Sequence, residues 1–131
     1  MSAEPRTAAM LVGAATVFTV RDIAASRDYF RDVHRFDITF EWGAPLHYVC
    51  LCRDEVQLHL LSAAGTERQP GQTGLCVFVR DVDALYEELK ARGANIPKPP
   101  ETYPYGMRDF DVFDLDGNQV TYGMGVNEAE K

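Results

Sequence analysis

The sequence is short of most features that would announce a function. It has three cysteines, Cys50, Cys52 and Cys76, an odd number set inside apolar, strand-like runs. A disulfide framework needs paired cysteines in a loop-rich chain, so buried thiols in a reducing compartment are the expectation. Basic residues are outnumbered, 13 against 20 acidic, for a net charge of −7. Neutralising a phosphate backbone takes a clustered basic surface, which argues against nucleic acid as a partner. The carboxylate surplus is compatible with a cationic ligand, although solubility alone accounts for most acidic proteins. No apolar run approaches the roughly 20 residues of a membrane helix, so no membrane partner is expected. The apolar stretch Ala8 to Ala15 is short, and Met1 to Thr7 carries one Arg and no clear cleavage pattern. It reads as a loose N-terminus and not as a signal peptide, leaving the cytoplasm as the expected compartment. Also missing are a Ser/His/Asp order, a phosphate loop and paired carboxylates at catalytic spacing.

What is present is a repetition. Val20-Arg21-Asp22-Ile23 returns as Val79-Arg80-Asp81-Val82, shifted by 59 positions, each time ending a strand-like run and opening a helix-like one. Ile23 and Phe30 of the first helix recur as Val82 and Leu89 of the second. Two similar units follow, neither able to bury its own sheet face, and the surface between them is where a ligand belongs. With 131 residues, 46% hydrophobic and 25% charged, the chain suits one compact domain or two half-size modules sharing a core.

The pattern predicts β-α-β-β-β twice. In the first unit, residues 13–20 read as a strand, Asp22 caps a helix with Ile23, Phe30 and Val33 on its apolar stripe, and strands cover 36–42, 46–52 and 56–61. Ser62 to Thr73, with Gly65, Pro70 and Gly71, is a polar linker. In the second unit a strand at 74–80 leads into a helix from about 83 to 92, with Gly93 as its C′ residue. A short strand near 94–96, a stiff loop from Pro97 to Pro104 and strands at 107–114 and 119–125 follow. The last two are joined by the turn Asp114-Leu115-Asp116-Gly117-Asn118. The organisation expected is a tail over 1–12, a module over 13–61, a linker over 62–73, a module over 74–126 and a frayed tail over 127–131.

Alternation assigns faces. A turn at 53–55 that pairs Tyr48 with His59 and Cys50 with Gln57 puts Val49, Leu51, Val56, Leu58 and Leu60 under the helix. The open face then carries Tyr48, Cys50, Gln57, His59 and Leu61. In the second module Leu75, Val77 and Val79 face the helix and Gly74, Cys76 and Phe78 do not, while Phe110 and Val112 alternate with outward Asp109 and Asp111.

Paired modules of this kind, with "DVDALYEELKARGAN" followed by "YGMRDFDVFDLDGNQVTYG", resemble the vicinal oxygen chelate superfamily over about residues 13–125. That superfamily includes glyoxalases, extradiol dioxygenases, fosfomycin-resistance enzymes and bleomycin-resistance proteins, and residues 103–123 look nearest to the bleomycin-resistance branch. The resemblance implies an α+β fold: two paired βαβββ modules forming a concave cleft of mixed, largely antiparallel sheet. It also implies where catalytic members hold a divalent ion, at the start of each module's first strand and on each module's last strand. Counting from the motifs puts those positions at Ala15, Gln57, Gly74 and Thr121, of which only Gln57 offers even a weak ligand. The usual metal site is therefore not expected, and no cofactor is assigned. A Cys50/Cys52/His59 site is conceivable, but Cys-x-Cys within a strand lacks the looped spacing of zinc sites and has no evident fourth ligand.

Candidate binding residues are Trp42, Tyr48, Phe78, Tyr103 and Tyr105 as stacking surfaces, Asp109 and Asp111 as acidic attraction, and Gln57 and His59 as hydrogen-bonding groups. No catalytic residue is assigned. Core or interface packing is an equally open reading for Trp42 and Phe78, and His59 alone could serve as a general base. The leading expectation is a metal-free protein that sequesters a planar ligand able to carry positive charge. In the bleomycin-resistance branch such proteins are homodimers with ligand grooves between subunits, often with exchange of an N-terminal strand. An enzyme of glyoxalase or dioxygenase type is the alternative, and a module whose cleft is filled by its own side chains is a third.

Overall fold

The computed structural model describes residues 8–126; most of the expected N-terminal tail (1–7) and all of the C-terminal one (127–131) lie outside the described residues. The two Val-Arg-Asp strings start the architecture. Asp22 Oδ1 accepts from Ala25 N at 3.0 Å and Asp81 Oδ1 accepts from Ala84 N at 3.0 Å, so the repeated Asp is the N-cap of each helix. Such a cap contributes about 1 kcal/mol by satisfying one of the helix's orphan donors. The next residue, Ile23 or Val82, turns inward and is buried.

The first module runs β1 (Ala15–Val20), α1 (Ile23–Asp32), β2 (Asp37–Trp42), β3 (Tyr48–Arg53) and β4 (Val56–Ser62). A single 3-10 turn, Ala63–Gly65, begins the linker. The second runs β5 (Gly74–Phe78), α2 (Val82–Ala91), β6 (Glu101–Thr102), β7 (Met107–Phe113) and β8 (Gln119–Gly125). Each module is a four-stranded mixed sheet, ordered β1-β4-β3-β2 and β5-β8-β7-β6. The outer pairs β1–β4 and β5–β8 are parallel and the others antiparallel. This is the α+β arrangement of paired βαβββ units.

Alternation assigned the faces correctly. Val49, Leu51, Leu58 and Leu60 are buried beneath α1, and Val77, Phe110, Val112 and Val120 beneath α2. Both sets belong to one hydrophobic core, so the helix-facing sides of the two sheets share their interior. Hydrogen bonds reinforce that union. Asn118 Nδ2 donates to Thr19 O at 3.2 Å, and the Asn118 carboxamide oxygen accepts from Thr73 N at 3.1 Å. The Asp-x-Asp-Gly-Asn turn thus ties the second module to β1 and to the linker as well as closing a hairpin.

Three expectations are corrected. The β3–β4 register is Tyr48↔Leu61, Cys50↔His59 and Cys52↔Gln57, two residues from the expected pairing. The turn is Asp54-Glu55, with Asp54 at φ 52°, a conformation that Asp tolerates better than Arg. Parity is unchanged by a shift of two, so the faces survive. Second, residues 94–96 form only an isolated bridge from Asn95 to Phe113, and the short β6 lies inside the proline loop at Glu101–Thr102. Third, the cysteines are free but not buried: Cys50 and Cys52 are half-buried and Cys76 is exposed.

Candidate functional site

The open face of the first module is built on β2, β3 and β4. Trp42 stands opposite Tyr48, and Cys50 opposite His59. Tyr48 Oη and His59 Nδ1 are hydrogen-bonded at 2.8 Å, with the two rings nearly perpendicular. Burial raises the pKa of both the Tyr48 phenol and the Cys50 thiol, so neither is poised as an anion. Trp42 is 61% exposed and meets His47 edge-on, ring centroids 6.0 Å apart. Gln57, also exposed, pairs with Ala15 of β1.

The open face of the second module gathers the remaining candidates. Tyr103 and Tyr105 stack with centroids 5.2 Å apart and planes within 6°. Lys98 Nζ lies 5.4 Å over the Tyr103 ring. Tyr105 Oη donates to Asp109 Oδ2 at 3.1 Å, and local desolvation together with that carboxylate holds the Tyr105 phenol above its ordinary pKa. Asp111 Oδ1 accepts from Thr121 Oγ1 at 2.7 Å, and Thr121 in turn accepts from Gln119 Nε2 at 3.1 Å. Phe78, 76% exposed, stands opposite Gly123, which also faces Asp109.

The nine candidates thus form two groups, Trp42, Tyr48, Gln57 and His59 on one module and Phe78, Tyr103, Tyr105, Asp109 and Asp111 on the other. Among the described residues no hydrogen bond or ion pair joins the groups. A groove of about 690 Å³ does run between the modules, walled by Arg53 and Val56 on one side and Val77, Leu85 and Glu88 on the other. Phe78 is the one candidate that borders it. Sequence reasoning missed Phe40, 52% exposed beside Trp42 on the open face. Simple alternation places Ile38, Phe40 and Trp42 on one face, but a register irregularity between Ile38 and Phe40 leaves Ile38 against the core and turns the aromatic pair outward. Gln119 as the support of Thr121 was also missed; its nearness in sequence to Thr121 on the same face was the available signal.

The donor set for a divalent ion can now be tested. Ala15 pairs with Gln57, while Gly74 pairs with Gln119 and Cys76 with Thr121. By strand register the first-module match of Thr121 is therefore His59, not Gln57. The positions in question supply one imidazole, two carboxamides, a hydroxyl, a methyl and a bare Cα. Among the described residues no group of three or more His, Cys, Asp or Glu is placed to hold a metal. These residues do not fit the divalent ion that the resemblance implies for catalytic members.

Paired βαβββ modules, each with one sheet face under a helix and one open, define the class of scaffold. The sequence profile of the Glyoxalase/Bleomycin resistance protein/Dioxygenase superfamily matches residues 14–122, and the chain belongs to that superfamily. Among solved structures, it is similar to the bleomycin-binding protein of bleomycin-producing Streptomyces verticillus in complex with copper(II)-bleomycin. Identity is 27%, the TM-score is 0.73, and the match covers 92% of this chain and 100% of that one. An antibiotic-binding protein from a Streptomyces species matches at 23% identity and TM-score 0.74, over 90% and 98% of the two chains. A lactoylglutathione lyase from Agrobacterium tumefaciens matches at 22% identity and TM-score 0.68, over 92% and 96%. These last two likenesses establish the fold alone. No match was found among curated proteins. Among the described residues no helix is long and apolar enough to cross a membrane.

Proposed function

We propose that the protein is a metal-free, cytoplasmic binding protein that sequesters a planar ligand able to carry positive charge, and that it works as a homodimer. The observation that carries this reading is the pair of unjoined open faces. One displays Phe40, Trp42 and Tyr48; the other displays Phe78, the Tyr103–Tyr105 stack and two carboxylates. Large exposed aromatics of this kind mark a surface that is covered in use. Laying the first module of one copy against the second module of its partner encloses a cleft with stacking walls and an acidic side. Each ring stacked on a flat ligand contributes about 0.5–1.5 kcal/mol beyond area burial. The likeness to a bleomycin-binding protein supports the ligand class, so trapping an antibiotic of that kind, and with it resistance, is the role proposed.

The test combines sedimentation equilibrium with calorimetric titration of bleomycin into purified protein and elemental analysis for bound metal. A dimer that binds bleomycin and carries no stoichiometric metal is the expected result. Silence towards bleomycin removes the antibiotic, and a stoichiometric transition metal removes the metal-free reading altogether. A second reading, a lyase or oxidoreductase, is favoured by the Tyr48–His59 pair, since a phenol and an imidazole 2.8 Å apart can pass a proton. Formation or breakdown of lactoylglutathione by the purified protein would establish it.

A further inference from the structure

His59 has one ring nitrogen engaged and one free. Nδ1 meets Tyr48 Oη at 2.8 Å, and among the described residues Nε2 has no hydrogen-bond partner. A phenol is a better donor and a poorer acceptor than a neutral imidazole nitrogen, so the Tyr48 O–H donates to Nδ1. The ring's single proton then stands on Nε2. His34 in the interior shows the same logic under tighter constraint. Tyr29 Oη donates to Phe113 O at 3.3 Å and so accepts from His34 Nε2–H, leaving Nδ1 to accept from Tyr122 Oη.

Register gives the free donor its meaning. His59 pairs with Val17 and Thr121 with Cys76, and these partners are one repeat apart, so His59 and Thr121 hold equivalent positions in the two modules. Thr121 gives its hydroxyl proton to Asp111 on the neighbouring strand, so the second module displays a carboxylate acceptor beside the position where the first displays an N–H. The two faces are complementary in hydrogen-bonding sense.

We propose that His59 is a specificity-determining residue that donates Nε2–H to a carbonyl, carboxamide or carboxylate oxygen of the ligand, with Tyr48 as the positioning residue that fixes the tautomer. This rests on the reading of the open faces as ligand-binding walls. The ligand class that satisfies both faces carries a carbonyl-type acceptor at one end and a cationic group at the other, as amide-rich basic compounds do. A ligand presenting only donors to His59 leaves Nε2–H unpaired and is discriminated against.

The test begins with ¹⁵N-histidine-labelled full-length protein at neutral pH. The His59 ring nitrogens should show the proton on Nε2 in the wild type and a tautomer mixture in Tyr48→Phe. A proton on Nδ1 in the wild type, or an unchanged ring in Tyr48→Phe, overturns the proposal. Adding N-methylacetamide as a bare carbonyl probe should move the Nε2 resonance of the wild type, and no movement at saturating probe counts against the contact. With bleomycin, His59→Leu should bind roughly fivefold to tenfold more weakly than His59→Gln, which keeps an N–H donor. Equal affinities for the two variants overturn the proposal. Failure of the wild type to bind bleomycin counts against the antibiotic reading alone, because the ring-nitrogen and N-methylacetamide results stand without it.

Discussion

His34 Nδ1 lies 2.7 Å from Tyr122 Oη, across a sequence separation of 88 residues and fully inside the core shared by the two modules. The second ring nitrogen is satisfied by Tyr29 at 3.1 Å. Burial disfavours the charged form of this imidazole, which clamps the end of α1 to the underside of β8. Arg53 closes the same seam from the rim, donating to His34 O at 3.1 Å and to the Glu88 carboxylate at 2.9 and 3.2 Å. The modules are therefore joined by polar groups whose protonation can be set from outside.

Acid should loosen that clamp before it touches anything else. Burial first, and the Arg53 charge second, push the His34 pKa down to about 3. The unfolded chain has a histidine near 6.5, so below that pH it binds a proton that the folded protein refuses. Stability from His34 is thus complete above about pH 6.5 and is lost progressively as pH falls towards 3. The lowered carboxyls of Asp32, Asp83 and Glu88 act in the same sense but only below their ordinary values. Asp114, raised by burial, acts oppositely over the interval just above its ordinary value. Between about pH 6.5 and 5 the histidine dominates, and the urea-unfolding free energy should fall by about 2 kcal/mol. His34→Gln should be less stable at neutral pH and nearly flat across that interval.

Asn118 should prove as costly to replace as a large core residue. It is fully buried, and its side chain joins Thr19 O, Thr73 N and Asp114 Oδ2. Asn118→Ala strands several buried polar groups at the seam, each of which costs about 1–3 kcal/mol when left unsatisfied. A loss of at least 3 kcal/mol in chemical denaturation is expected. A loss below 1 kcal/mol would show that the turn merely closes a hairpin.

Much of this was written in the sequence, and the part that was not has a physical cause. The repeated Val-Arg-Asp string marked where each helix starts, because an N-cap and the first inward residue of a helix are local demands. The open faces were legible because side chains alternate with period two, and Val49, Leu51, Leu58 and Leu60 kept that period. The β3–β4 register was not, since it turned on which residue near 54 would take the left-handed conformation. Phe40 shares the face of Trp42 by simple alternation; what alternation cannot express is the irregularity that leaves Ile38 against the core. Nothing local in His34 or Tyr122 announces their partnership, and the same holds for how the two candidate groups sit on the molecule. Faces follow from the sequence pattern; the packing of one module on the other does not.

Gly65 should act as a spacer for the aromatic wall. A Cβ at this position would fall 2.5 Å from His47 Cε1, and the His47 ring meets Trp42 edge-on. Gly65→Ala must displace the imidazole, and that shift should carry to Trp42. Trp42 is the sole tryptophan of the chain, so its emission reports the shift directly. A changed emission maximum is expected, with a stability loss of no more than about 1 kcal/mol because the site is exposed. An unaltered spectrum would mean that His47 moves without its neighbour.

Binding to the acidic face should depend on salt and on the hydroxyl that orients Asp111. Tyr105 and Thr121 hold Asp109 and Asp111 by hydrogen bonds of 3.1 and 2.7 Å, so both carboxylates are fixed before a ligand arrives. A half-exposed carboxylate acts chiefly by steering, with a modest share of the final affinity. Asp111→Asn should therefore weaken bleomycin binding by roughly threefold to tenfold at low ionic strength, chiefly through a slower association rate. Raising salt towards 0.5 M should shrink that difference, because the screening length contracts to a few ångströms. Thr121→Val, which frees the carboxylate without removing it, should give a smaller loss with the same salt trend. Trp42→Ala removes a stacking surface and should act on dissociation, with little dependence on salt. Surface plasmon resonance at two salt concentrations separates the two kinds of loss. Equal salt dependence for Asp111→Asn and Trp42→Ala would show that the carboxylate does not meet a cation.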